Sequence, residues 1–205
     1  MGYYANILLV QYIKYIEVNS MGKQYKTLQQ KDIDFIRKQK LFYLASSSGE
    51  EVNLSPKGYD SIRVLDKQTL LYLDFPGSGN RTYRDAMAGG EFTLVFNAFE
   101  GNANIVRLFC KAEPIEKSDE RFEGYLSHFG VNEKHIRQLF IFDIYAVETS
   151  CGMAVPYMKY EKERKSLKNW AKNMAEDGRL ASYIKEHEEP PSLENLDVIK
   201  DNLFE

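Results

Sequence analysis

The sequence predicts a mainly β fold, an antiparallel barrel or sandwich with flanking helices. Roughly six or seven segments rich in β-branched and aromatic residues follow one another through short connections. They do not alternate with the long helical segments that a parallel βαβ sheet requires. Aromatic residues make up 13% of the chain, with 14 Tyr and 12 Phe, and such side chains suit pleated, half-buried surfaces. At 205 residues and 43% hydrophobic, the chain is long enough for one full core, with or without a helical appendage.

The elements are expected in this order. Thr27-Leu-Gln-Gln30 has capping-box spacing, and Ile33, Phe35 and Ile36 follow with helical periodicity, predicting a helix over about 28–39. Leu41–Ser46 reads as a strand that turns through Ser47-Ser-Gly49, with Val52–Ser55 as its hairpin partner. Thr69–Phe75 is a strongly β-like run stopped by Pro76 and Gly77, and Arg81–Ala88 is a short helix. Glu91–Phe99, Asn104–Ile115 and Gln138–Thr149 are the remaining long strands. Between the last two lies a helical excursion, Ser118–Phe129 with Glu133–Arg137. Beyond Pro156 the composition becomes polar. Leu167, Trp170 and Met174 sit at helix spacing within 161–188, predicting an amphipathic pair that covers the barrel. Pro190-Pro-Ser192 breaks it before a last short helix. The domain reading is therefore an extension at 1–20, a barrel domain at 21–160 and a helical appendage at 161–205.

Composition excludes several classes. With 27 basic and 30 acidic residues the net charge is −3, so no basic excess points to nucleic acid or an anionic membrane. Cys110 and Cys151 form neither a disulfide framework nor a CxxC pair. His128, His135 and His187 are too scattered for a zinc site on spacing, so no metal is expected. These features fit a reduced, cytoplasmic compartment. Ala5–Ile16 is apolar but interrupted by Gln11 and Lys14, too short and polar to span a bilayer, and lacks the marks of a signal peptide. A dispensable extension is the preferred reading of 1–20, with an amphipathic membrane anchor as its rival.

The segment that carries chemistry is Leu73-Asp-Phe-Pro-Gly-Ser-Gly-Asn-Arg-Thr82. A strand runs into Gly77-Ser78-Gly79, glycines allow positive φ and close approach to a ligand, and Asn80 is a good N-cap. Gly89-Gly90 is the expected place for the helix to close. Amides at the helix start form a ready anion site, Ser78 and Thr82 add hydroxyls, and Arg81 and Arg84 add charge. A phosphate site and a plain strand-to-helix turn both satisfy this motif on its own. It is not a dinucleotide fingerprint, since the third glycine is absent. Upstream, Asn53, Ser55 and Lys57 alternate and so share one face of a strand. Such a face suits an anionic ligand inside a barrel or, equally, a solvated edge.

The ordered set Asn53-Leu-Ser-Pro-Lys-Gly58, Arg63-Val-Leu-Asp66, Tyr72-Leu-Asp-Phe-Pro-Gly-Ser-Gly-Asn80, Phe96-Asn-Ala-Phe-Glu-Gly101, Arg107-Leu-Phe109 and Thr149-Ser-Cys-Gly152 closely resembles the pyridoxamine 5′-phosphate oxidase-related flavoproteins. The resemblance spans about residues 25–188. It implies an FMN-binding split β-barrel, with FMN held non-covalently at the interface of a homodimer. On this resemblance Ser55, Lys57, Gly77, Ser78, Gly79, Asn80, Arg81 and Thr82 are the cofactor-binding candidates. Thr149, Ser150 and Cys151 are suspected on the side closed by the second copy. The implied activity is an FMN-dependent oxidoreductase acting on a small molecule or a nicotinamide donor. No catalytic acid or base stands out. The founding enzyme's C-terminal Arg and His segment has no counterpart in the acidic Ser192–Glu205, so oxidation of pyridoxamine phosphate is not expected. Two alternatives stay open: a non-catalytic flavin- or haem-holding protein, with His128 as a conceivable axial ligand, and a structural dimer with an empty ancestral site. Arg107 is either an internal ion pair or a ligand contact.

Overall fold

The computed structural model describes residues 22–49 and 51–190. The extension at 1–20 and the short helix expected after Pro191 lie outside them. Eight strands form one antiparallel sheet: β1 (Lys23–Tyr25), β2 (Phe42–Ser47), β3 (Val52–Lys57), β4 (Ile62–Val64), β5 (Thr69–Asp74), β6 (Glu91–Asn97), β7 (Ile105–Ile115) and β8 (Gln138–Ser150). The helices are α1 (Gln30–Lys38), α2 (Arg81–Met87), α3 (Phe122–Leu126), α4 (Ser166–Glu176) and α5 (Leu180–Glu186). Strand order is β3-β2-β6-β7-β8-β5-β4, with β1 paired to β8. The sheet curls on itself, but its two end strands, β3 and β4, are not hydrogen-bonded to each other. This is the mainly β, split-barrel architecture that the sequence predicts.

Alternation explains most strands. In β2, Phe42, Leu44 and Ser46 are buried while Tyr43, Ala45 and Ser47 are half-exposed. The inward residues of β2, β6, β7 and β8 meet in one core, which includes Leu44, Leu94, Phe96, Leu108, Phe140 and Phe142. Aromatic contacts knit it: Phe42 stacks on Phe96 with ring centroids 5.3 Å apart, and Tyr72 stacks on Phe140 at 6.1 Å. β5 does not alternate. Its Leu71 and Leu73 are buried in a second cluster with Ile115, Phe122, Ile136 and Leu139, while Leu70 and Tyr72 face the main core. Covered on both faces, a strand reads as the continuous apolar run Leu-Leu-Tyr-Leu.

The structure corrects local details of the sequence reading. The capping box of α1 is formed by Gln29 and Asp32, not by Thr27 and Gln30: the Asp32 carboxylate accepts the Gln29 N–H at 2.9 Å. The helix expected over Ser118–Phe129 shrinks to Phe122–Leu126, and Glu133–His135 is a single 3-10 turn. β1 and β4, three residues each, were not expected. Trp170 packs edge-on against Tyr183, centroids 4.8 Å apart, and thereby joins α4 to α5.

Candidate functional site

β3 inverts the usual arrangement. Its apolar Val52 and Leu54 point outward, 74% and 63% exposed, while Asn53, Ser55 and Lys57 are half-buried. The polar face thus looks into the seam left open beside β3. Across that seam β5 ends at Asp74 and the chain passes through Phe75–Asn80 into α2. A cleft of about 220 Å³ opens there, lined by polar groups. Ser55, Lys57, Gly77, Ser78, Gly79, Asn80, Arg81 and Thr82 all border it. Asn53, Asp74, Phe75 and Arg137 complete the lining.

The turn is shaped by Arg137, which spacing alone did not single out. Its guanidinium donates to Gly79 O at 2.8 Å through Nη1 and to Gly77 O at 2.7 Å through Nη2. Drawing both carbonyls to one cation fixes the path of the chain between them. Arg137 is only 6% exposed, and its Nε is the one buried side-chain polar atom without a partner among the described residues. An unsatisfied buried donor costs roughly 1–3 kcal/mol, so this is a place where an acceptor is wanted.

Asn80 stands at the N-cap of α2 as expected, but its side chain does not cap the helix. Its Oδ1 accepts from Gln138 Nε2 at 3.0 Å, and Gln138 also donates to Asp74 at 3.2 Å. Gln138 lies opposite Asp74 in the β5–β8 register, so strand pairing brings these groups together. Tyr72 donates to the other Asp74 oxygen at 3.1 Å. Burial, reinforced by the Asp74 charge and hydrogen bond, pushes the Tyr72 hydroxyl well above its usual value and keeps it a donor. Lys57 Nζ stands 5.7 Å from the Tyr72 ring centroid. Below the cleft, fully buried Asp85 accepts from Ser46 at 2.6 Å, Ser48 at 2.9 Å and Arg84 at 2.9 Å, tying α2 to β2. Asn53 reaches Ser46 at 3.1 Å.

Two expectations about this turn change. Gly77 is not in the left-handed region, and a Cβ there would meet nothing within 4 Å; its contribution is an open cleft rather than unusual backbone. The macrodipole of seven-residue α2 is small, so lysine and arginine carry most of the positive charge. One of these, Arg81, is engaged by Glu51 at 2.9 Å, and Arg84 pairs with the same carboxylate at 2.8 Å. Hydrogen bonds from Arg84 and then Arg81 hold the Glu51 carboxyl below the usual carboxylate range.

Other candidates fall elsewhere. Arg107 pairs with Glu148 and donates to Ser150, each at 3.1 Å, so it is an internal ion pair. Burial pushes the Cys110 thiol up, leaving it inert, whereas Cys151 is half-buried at the end of β8. Thr149, Ser150, Cys151 and all three histidines lie outside the cleft lining. No helix among the described residues is long and apolar enough to cross a membrane.

An open antiparallel barrel with a cation-lined cleft at its seam defines a split-barrel protein. Comparison with known proteins places it more narrowly. No protein-family model matches the chain. The pyridoxamine 5′-phosphate oxidase family protein ustO of Aspergillus flavus is 33% identical over 166 residues, covering 78% of this chain and 67% of that protein. The chain belongs to the pyridoxamine 5′-phosphate oxidase family. Solved structures resemble it more distantly. HupZ of Group A Streptococcus is 19% identical with a TM-score of 0.47, covering 58% of this chain and 91% of that one. The FAD binding protein of Mycobacterium smegmatis is 10% identical with a TM-score of 0.45, covering 61% of this chain and 96% of its own.

Proposed function

We propose that the protein is an FMN-binding flavoprotein, an oxidoreductase acting on a small molecule that differs from pyridoxamine phosphate. The observation that carries this is the convergence on one cleft of Lys57, Arg81, Arg137, Ser55, Ser78 and Asn80. That donor set suits a phosphate and the hydroxyls of a ribityl chain. The orphaned Nε of Arg137 supports it. Membership of the family adds weight from a separate direction. Bound flavin supplies hydride or electron transfer. This chain's own residues bind and orient: Lys57 and Arg81 balance the phosphate charge, the 77–80 turn offers backbone donors, and Arg137 holds that turn in place. On this reading a second copy of the chain would close the open edge of the cleft.

The purified protein's absorbance spectrum, with mass spectrometry of whatever acid releases, tests the proposal. Oxidised-flavin bands and about one FMN per subunit are expected. Asn80→Asp places a carboxylate at the phosphate and is expected to abolish FMN retention while leaving the melting temperature little changed. Stopped-flow reduction of the loaded protein by nicotinamide donors separates an enzyme from a flavin holder. A colourless protein that also ignores added FMN defeats the proposal, and a Soret band replaces flavin with haem.

A further inference from the structure

A second, larger cavity lies beside the entry to β2, at the end of the β2–β3 pair where Phe42 faces Lys57. Its volume is about 700 Å³, inside the roughly 300–1,000 Å³ range of small-molecule sites. It shares no lining residue with the cleft. The end of α1, the entry to β2 and the β6–β7 connection form its walls, and Met158–Tyr160 lie across it. That strap is docked rather than loose: Met158 N–H donates to Phe99 O at 3.0 Å, and Tyr160 N–H donates to the Glu100 carboxylate at 3.2 Å. Phe35, Leu41, Phe99, Met158 and Tyr160 give it a largely apolar interior. Apolar side chains gathered in a concavity, with Met158 and Tyr160 55% and 41% exposed, leave surface that a ligand could cover.

The charges around the cavity are one-sided. Lys38, Lys40 and Lys159 line it, against Glu100 alone. None of the three lysines forms an ion pair among the described residues, and Lys40 Nζ sits 5.9 Å from the Tyr160 ring centroid. Glu100 already accepts from the Tyr160 backbone. A hydrophobic interior under an uncompensated cationic rim selects a ligand that is both apolar and anionic. We infer that this cavity is a binding site for a small, flat, largely apolar molecule carrying one anionic group, such as an aromatic carboxylate. The apolar body lies against Phe99 and Tyr160, and the anion faces Lys40 and Lys159. The site is independent of the flavin reading.

Fluorescence titration of the full chain tests it with two probes of similar body, anionic 8-anilinonaphthalene-1-sulfonate and neutral N-phenyl-1-naphthylamine. The anion is expected to bind with enhanced emission and more tightly than the neutral probe. In the triple variant Lys38→Gln, Lys40→Gln, Lys159→Gln its affinity falls roughly tenfold, while the neutral probe is little affected. All three positions are exposed, so folding is not at risk. Met158→Asp, also at an exposed position, weakens both probes. Saturating FMN leaves the anionic probe bound, which separates this site from the cleft. Equal affinity of the triple variant for the anion, or displacement by FMN, overturns the inference. So does a native protein that fails to bind the probe, whether another segment or a second copy covers the cavity.

Discussion

At the scale of single residues, the site depends on a cation that does not itself need to touch a ligand. Arg137 holds two carbonyls of the 77–80 turn, and each charge-assisted bond is worth roughly 1.5–3 kcal/mol. Arg137→Met keeps the stem but leaves both carbonyls unpaired. A loss of about 2–4 kcal/mol in urea denaturation is expected, together with FMN binding weakened at least tenfold. Arg137→Lys retains the charge but cannot fork, so it is expected to recover stability more than affinity. Glu51 acts in the opposite sense, compensating the charge of Arg81 beside the cleft. Glu51→Gln is expected to tighten FMN binding about two- to fivefold at neutral pH. Because the Glu51 pKa is lowered, its ion pairs persist above the ordinary carboxylate range and are lost only as pH falls through the lowered value. The advantage of the variant therefore vanishes at acid pH, where the native carboxyl is itself neutral; titrations across pH check this. The sequence made Gly77–Thr82 visible because glycine, Asn and Thr cluster after a strand. Arg137 was invisible, since it lies some sixty residues away and only the β5–β8 register brings it back.

At the scale of elements, strands long enough to show a period or an unbroken apolar run were legible, and short ones were not. β6, β7 and β8 fall within two residues of their expected limits, whereas β1 and β4 have three residues each and no readable alternation. The excursion before β8 failed for another reason. Gly124, Gly130 and the turn residues around Asn132 interrupt a composition that otherwise favours helix. The joint from α2 to β6 shows how tightly elements are set. Gly89 takes φ +69°, as a C′ glycine does, but Gly90 serves by size alone. A Cβ on Gly90 would lie 2.5 Å from Ser47 O and 2.7 Å from Asp85 O, both backbone atoms that cannot swing aside. Gly90→Ala is therefore expected to cost roughly 2–4 kcal/mol and lower the melting temperature accordingly. Calorimetry of Gly90→Ala beside Gly77→Ala, where nothing lies within 4 Å of the added carbon, separates packing from loss of backbone freedom.

At the scale of the molecule, the open seam poses two demands that a second copy of the chain would meet. β3 is an end strand with unpaired backbone groups on one side, and it shows Val52 and Leu54 to solvent. Exposed apolar edge strands invite pairing unless charge, proline or cover protects them, and β3 carries only Pro56 and Lys57, the latter lining the cleft. A second copy laid over this face would bury both side chains and, on the proposed reading, would finish the wall of the flavin cleft. Each fully buried Val or Leu contributes roughly 1.5–3 kcal/mol, and a two-fold arrangement counts each twice. Val52→Lys with Leu54→Lys is then expected to give a monomer in sedimentation velocity at micromolar concentration, with native circular dichroism, because neither side chain contributes to the core. Flavin affinity should fall alongside, although no residue facing the cleft has changed. If the double variant stays dimeric, the interface lies elsewhere; if it is monomeric yet retains flavin in full, the cofactor is held within one chain and the dimer serves stability alone.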